Sequence, residues 1–328
     1  MNAVQVIVGS PLQGIWLEKH STFLQRCALR YDPCIEYTVL ITEQDNIIAC
    51  GSLDGHTVKC VAVHPDHQGE DLTARVMTAL LQESSRRGID QLMLYTKPHN
   101  QYLFTALGFH PVMRTSDCLL MENKRNGLAS YLDSLQRPNS DRTPVGSIVA
   151  HCNPFTRGHR YLIETAAREC AFVHVFVLSE DKGLFSPEER LAMVREGCRD
   201  LKNVLVHPTD AYMVSSATFP TYFVKNPAQA DSIFCELDIR LFGQKIAPAL
   251  GITRRYVGTE PHSIVTAHYN QELHRLLPAM GVEVIEKERI TLDGSAISAS
   301  RVRALLQSGQ TQELSSLLPD STLRILSK

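Results

Sequence analysis

No run of roughly 18 apolar residues, the length that spans a bilayer as a helix, occurs in the 328-residue chain. The opening stretch, Met1 to Trp16, also lacks the basic and long apolar regions of a signal peptide, so the expectation is a cytoplasmic protein. Surplus charge is missing too. Lys and Arg number 33 against 35 Asp and Glu, a net charge of −2, which argues against a broad electrostatic grip on nucleic acid or an anionic membrane. Positive charge must then act locally. The nine cysteines form no CxxC pair, and several sit in apolar patterns such as Ile48-Ala49-Cys50, so reduced, buried thiols are expected. The histidine pairs His64/His67 and His262/His268 lack a third ligand at metal spacing, and no metal site is expected.

What is present is ordinary globular composition, 44% apolar and 21% charged, at a length that suggests two domains. The polar, proline-bearing segment Arg137 to Pro144 reads as a linker. Before it, apolar runs at 35–41, 47–53 and 57–63 predict a strand meander. A helix from Leu72, a strand at 91–95, a short helix at 102–107 and strands at 109–113 and 118–122 complete an α+β domain. After it, strand 147–150, helix 159–170, strand 173–178, helix 187–200 and strand 204–207 alternate as a parallel, doubly wound sheet requires. The expected division is 1–136, a linker at 137–146, and 147–328. Ser186 as N-cap, Pro187 at the first helical position and Glu189 three residues after the cap mark one helix start. Leu191, Val194, Cys198 and Leu201 mark its buried face.

The chemistry concentrates where strand 147–150 runs through His151-Cys152-Asn153-Pro154-Phe155-Thr156-Arg157-Gly158-His159 into a helix. Ligands of open parallel sheets sit at the carboxyl ends of strands, and a helix N-terminus there offers free N–H groups and a positive dipole end to phosphate. His159, in the first turn, can donate to phosphate oxygens, and Gly158 lets backbone and nucleotide approach closely. Thr156-Arg157-Gly158-His159 resembles the (H/T)xGH signature of the nucleotidyltransferase superfamily. A second element, ISxxxxR, stands at Ile297-Ser298-Ala299-Ser300-Arg301-Val302-Arg303, with Ser298 as a helix N-cap. Lys182 and the segment Phe185 to Arg190 resemble the superfamily's basic loop and following helix.

Asn153 to Leu162, Leu184 to Arg190 and Val257-Gly258-Thr259-Glu260-Pro261 together resemble the citrate lyase ligase family. In the first half, Val61 to Gly69 and Leu103 to Phe109 resemble the core of the GNAT acyltransferase fold. The resemblance implies a Rossmann-like nucleotidyltransferase domain preceded by a GNAT-like α+β domain. It also implies an adenylate-forming acid–thiol ligase in which ATP, with its Mg2+, and acetate give acetyl-adenylate. The acetyl group then passes to the prosthetic thiol of the citrate lyase acyl carrier subunit. His159, Lys182 and Arg303 are the implied catalytic residues. ATP would meet Asn153, Pro154, Phe155, Thr156, Gly158, His159, Gly258, Glu260, Ile297, Ser298, Ser300 and Arg303. The same nucleotide motifs leave open an adenylyltransferase acting on a phosphate acceptor such as phosphopantetheine or a mononucleotide. A GNAT pyrophosphate turn of the form (R/Q)xxGx(G/A) is replaced by Gln68-Gly69-Glu70-Asp71-Leu72-Thr73, whose carboxylates repel phosphate, so this domain is expected to act without acetyl-CoA turnover.

Overall fold

The structure, a computed structural model, describes residues 4–138, 141–180, 183–215, 219–224, 226–260 and 263–327. Its contacts divide the chain into two compact units: Met1–Leu128 with Phe219–Leu237, and Ala129–Thr218 with Asp238–Lys328. The expected boundary at 137–146 thus differs from the observed partition in two ways. The second unit begins earlier, at Ala129, and residues 219–237, expected in the second domain, pack into the first.

The first unit carries a seven-stranded sheet in the order β1-β2-β3-β4-β5-β7-β6. The strands are β1 (Val4–Gly9), β2 (Tyr37–Glu43), β3 (Asn46–Asp54), β4 (Thr57–Val63), β5 (Met93–Thr96), β6 (His110–Arg114) and β7 (Leu119–Glu122). Helices α1 (Gly14–Arg26), α2 (Leu72–Arg86) and α3 (Gln101–Ala106) join them. The meander β2-β3-β4 is antiparallel throughout. Val76 and Leu80 of α2 press on the sheet so closely that a Cβ on Gly51 would stand 2.5 Å from Val76 Cγ1, which is why β3 carries glycine there. β4 and β5 are parallel and pair only through Thr57–Met93 and Val58–Leu94, after which no further pairing joins them.

The second unit has a five-stranded sheet, order β10-β9-β8-β11-β12, in which every pairing is parallel. After α4 (Gly127–Ser134) come β8 (Val145–Ala150), α5 (Arg157–Glu169), β9 (Phe172–Val177), α6 (Pro187–Gly197) and β10 (Val204–Pro208). Helix α7 (Ala230–Leu241), which belongs to the first unit as far as Leu237, and α8 (Ala247–Leu250) lead to β11 (Arg254–Gly258), α9 (Ile264–Leu276) and β12 (Glu283–Lys287). A small hairpin, β13 (Thr291–Leu292) and β14 (Ser295–Ala296), precedes α10 (Ala299–Gln307), α11 (Leu314–Leu317) and α12 (Asp320–Leu326). The sheet core joins Ile148, Val173, Val175 and Tyr256 to Ile163, Met193 and Val194 of the helices. The expected buried face of α6 is present, with Leu191 and Leu201 half-buried beside Val194 and Cys198. Strand order reverses between β8 and β11, so their carboxyl ends frame the crevice where such sheets bind ligands.

Candidate active site

The crevice is built from three pieces of backbone, each closed by short-range chemistry. At the end of β8, Cys152 takes a left-handed backbone (φ 50°) and the chain turns into α5. Thr156 caps that helix. Its Oγ1 accepts from the His159 amide at 3.4 Å, and the Thr156 amide donates to His159 Nδ1 at 3.0 Å, a capping box with imidazole in the place usually held by Glu or Gln. Because an amide can only donate, Nδ1 is the acceptor and the neutral ring carries its proton on Nε2. Burial, helped by the charge of Arg289, lowers the His159 pKa to about 4, so the neutral Nε2–H donor is the form present near neutral pH. Phe155, fully buried, backs the imidazole in a near-parallel stack at 6.0 Å.

The second piece is the start of α10. Ser298 caps it by accepting from the Arg301 amide at 3.2 Å. Ile297, just before the cap, turns its carbonyl toward Gly158. A Cβ on Gly158 would meet that oxygen at 2.9 Å, so glycine is what lets the two motifs close on each other. Arg303 completes the junction, donating through Nη1 to the Asn153 carbonyl at 2.6 Å and through Nη2 to Ser300 Oγ at 3.1 Å. The third piece is the end of β11, where Arg289 donates to the Thr259 carbonyl at 2.6 Å and pairs with Glu260.

The structure brings most of the sequence-derived site residues together, with different tasks for some. Asn153 is buried, accepts from the Phe185 amide at 3.2 Å, and lies so close to Gly183 that a Cβ there would clash with its amide. Pro154 and Phe155, expected against ATP, are buried instead, Phe155 lying under Gly197 of α6. Glu260, also expected against ATP, is engaged by Arg289 and by the Ser263 amide at 3.2 Å. Gly258 offers its carbonyl to Asn270 at 3.0 Å. Lys182 and Pro261 lie outside the described residues.

Two cations hold backbone together here, and neither is among the site residues expected from the sequence. Arg190 is fully buried and donates to the carbonyls of Phe185, His151, Leu178 and Glu180, tying the end of β8 to the chain that follows β9. In the sequence it closes the segment Leu184 to Arg190, four residues after the Ser186 cap, on the inward face of α6. Arg289 gave no local signal, because its partners are about thirty residues away. His151 Nε2 is buried at the end of β8 without a protein partner.

A parallel five-stranded sheet with a TxGH helix start and an ISxxxxR helix start meeting at its switch point defines a nucleotidyltransferase-type domain, here joined to a GNAT-like one. Family models agree: the Citrate lyase ligase C-terminal domain matches residues 145–326, and the Acetyltransferase (GNAT) family matches 3–109. A [Citrate [pro-3S]-lyase] ligase of Klebsiella pneumoniae is 38% identical over 99% of this chain and 96% of its own length. The protein of that name from Escherichia coli K12 is 38% identical over 93% of this chain and 88% of its own. A phosphopantetheine adenylyltransferase of Staphylococcus carnosus is 36% identical over only 19% of this chain and 40% of its own. This chain belongs to the citrate lyase ligase family and is an enzyme of the ligase class. No helix among the described residues is long and apolar enough to cross a membrane.

Proposed function

We propose that the chain uses ATP, carrying its Mg2+, and acetate to acetylate the prosthetic thiol of the citrate lyase acyl carrier subunit. The first step is in-line attack of an acetate oxygen on the α-phosphorus, breaking its bond to the bridging oxygen and releasing diphosphate. In the second, the thiol sulfur attacks the acetyl carbonyl of acetyl-adenylate, the sulfur's proton leaves to solvent or base, and AMP departs. Both steps call for positioning and charge neutralisation rather than a covalent protein nucleophile.

The observation that carries this reading is the junction of Gly158 with Ile297, which sets the His159 Nε2–H donor and the first-turn amides of α5 beside the capped start of α10. Such amides have no partner within their own helix and suit phosphate. Arg303 and Lys182 are assigned to the phosphates, with Arg303 also holding Asn153 in place. The cytoplasm, where ATP and reduced thiols occur together, is the proposed location.

The test is ATP–diphosphate exchange by the purified full chain. Exchange should require acetate, and AMP should accumulate only when the deacetylated carrier subunit is added. Exchange driven by phosphopantetheine and indifferent to acetate would replace this reading with that of an adenylyltransferase.

A further inference from the structure

The first unit contains a feature that its sheet alone does not require. Beyond Val58 and Leu94, β4 and β5 are unpaired, and Cys60 takes a left-handed backbone (φ 54°) where they part. Split parallel strands expose backbone N–H and C=O groups in extended geometry, which an extended, amide-bearing chain can satisfy as an added strand would. Beside the split lies a cavity of about 590 Å³, within the range of small-ligand sites, with Val61, Val63, Leu94 and Phe104 in its wall.

Part of that wall comes from far along the sequence. Tyr222 and Phe223 line the cavity, and both are buried. The Tyr222 hydroxyl donates to the Tyr95 carbonyl of β5 at 2.9 Å. The Tyr222 carbonyl accepts from the Arg30 amide at 3.0 Å, and Arg30 Nη2 donates to the Thr221 carbonyl at 3.0 Å. Phe219 meets the Tyr95 ring edge-on at 5.5 Å and packs against Phe223 and Phe234. The segment is therefore anchored by two polar contacts at its back and an aromatic cluster at its side.

We infer that Thr221–Val224 is a built-in plug of the β4/β5 cleft, with the Tyr222 hydroxyl occupying the backbone acceptor that an extended, amide-bearing ligand would otherwise engage. The plug keeps the cleft from accepting such an extended, amide-bearing ligand. One carboxylate at its mouth acts in the same direction: Glu70, which lines the cavity and is paired with His67 at 3.1 Å, follows Gly69 (φ 95°) just ahead of α2.

The test measures binding of dephospho-coenzyme A, an extended thiol with two amides, to the full chain by titration calorimetry without ATP. Tyr222→Ala should bind at least tenfold more tightly than the wild type. Tyr222→Phe, which removes only the hydroxyl, and Arg30→Ala, which loosens the segment from the exposed side, should gain by smaller factors, and both keep the aromatic packing if Tyr222→Ala fails to fold. Equal affinity in the wild type and all folded variants, whether measurable or absent, overturns the plug.

Discussion

Gly158 and Ile297 lie 139 positions apart in the sequence, yet a single methyl group on the first would press on the carbonyl oxygen of the second at 2.9 Å. The contact is backbone on both sides, so neither partner can swing away as a side-chain tip would. Gly158→Ala should displace the start of α10 from the start of α5. Overpacking of this kind costs about 1–3 kcal/mol, and a misplacement of about 1 Å in a reacting site costs about 10²-fold in rate. The expected outcome is a folded protein with a lowered melting temperature and acetate-dependent diphosphate release reduced by about that factor. Unchanged turnover would mean the two motifs do not work as one site.

Arg190 organises the same region from below. Its guanidinium satisfies carbonyls at the end of β8 and along the chain after β9, and Phe185 at the entry to α6. Replacing it by Leu leaves those carbonyls without donors in a dry environment, and each buried acceptor left unsatisfied costs about 1–3 kcal/mol. Arg190→Lys should not recover the loss, because one ammonium cannot reproduce a planar fork spread over several acceptors. Urea unfolding of the full chain checks this. A midpoint within error of the wild type for either variant would show that the network is dispensable.

Much of the site was legible in the sequence because its chemistry is local. The caps Thr156, Ser186 and Ser298 each bond an amide three residues on, so the spacing that forms the helix start is the spacing read in the sequence. Arg289, and the buried task of Arg190 within the segment Leu184 to Arg190, escaped because their partners are set by the fold. So did the transfer of residues 219–237 to the first unit, which depends on Tyr222 meeting Tyr95 across 127 positions. β1 and α1 escaped for a different reason. β1 is an edge strand whose Val4, Val6 and Val8 are all exposed, so no buried face repeats along it. The α1 helix starts after Gln13 with no capping side chain and no acid in its first turn.

Burial of neutral histidines sets an acid limit on stability. His20 and His174 have their pKa lowered to about 4 and His207 to about 3, in each case mainly by burial, with His174 Nδ1 and His207 Nε2 3.0 Å apart. The unfolded chain takes up protons near pH 6.5, while the folded chain refuses them until about pH 4 or below. Between those values the unfolded state holds more protons, so stability falls as pH falls, by roughly 1.4 kcal/mol per pH unit for each such histidine. Melting temperature should therefore be flat in this respect above pH 7 and drop from pH 6 to pH 4. A His174→Gln/His207→Gln variant should show a shallower drop. An equal slope in both proteins would place the acid sensitivity elsewhere.

His159 should separate catalysis from folding less cleanly than a surface residue would, because its ring does two things. Nδ1 closes the capping box with the Thr156 amide, and Nε2–H is left for the ligand. His159→Ala loses both. The lost cap contributes about 0.5–2 kcal/mol of stability, and the lost donor, if it meets charge developing at the α-phosphate, about 10²–10³ in rate. His159→Asn divides the two effects: a side-chain oxygen at the third helical position can still accept from the Thr156 amide, but it offers no donor where Nε2 stood. The expected result is a melting temperature closer to wild type for Asn than for Ala, with acetate-dependent diphosphate release down by about 10²–10³ in both. Because the low His159 pKa keeps Nε2–H neutral near pH 7, the wild-type rate between pH 6 and 8 should show no ionisation from this residue. If folded His159→Asn forms acetyl-adenylate at the wild-type rate, the α5 N-terminus is not where the nucleotide reacts, and the assignment of the site fails with it.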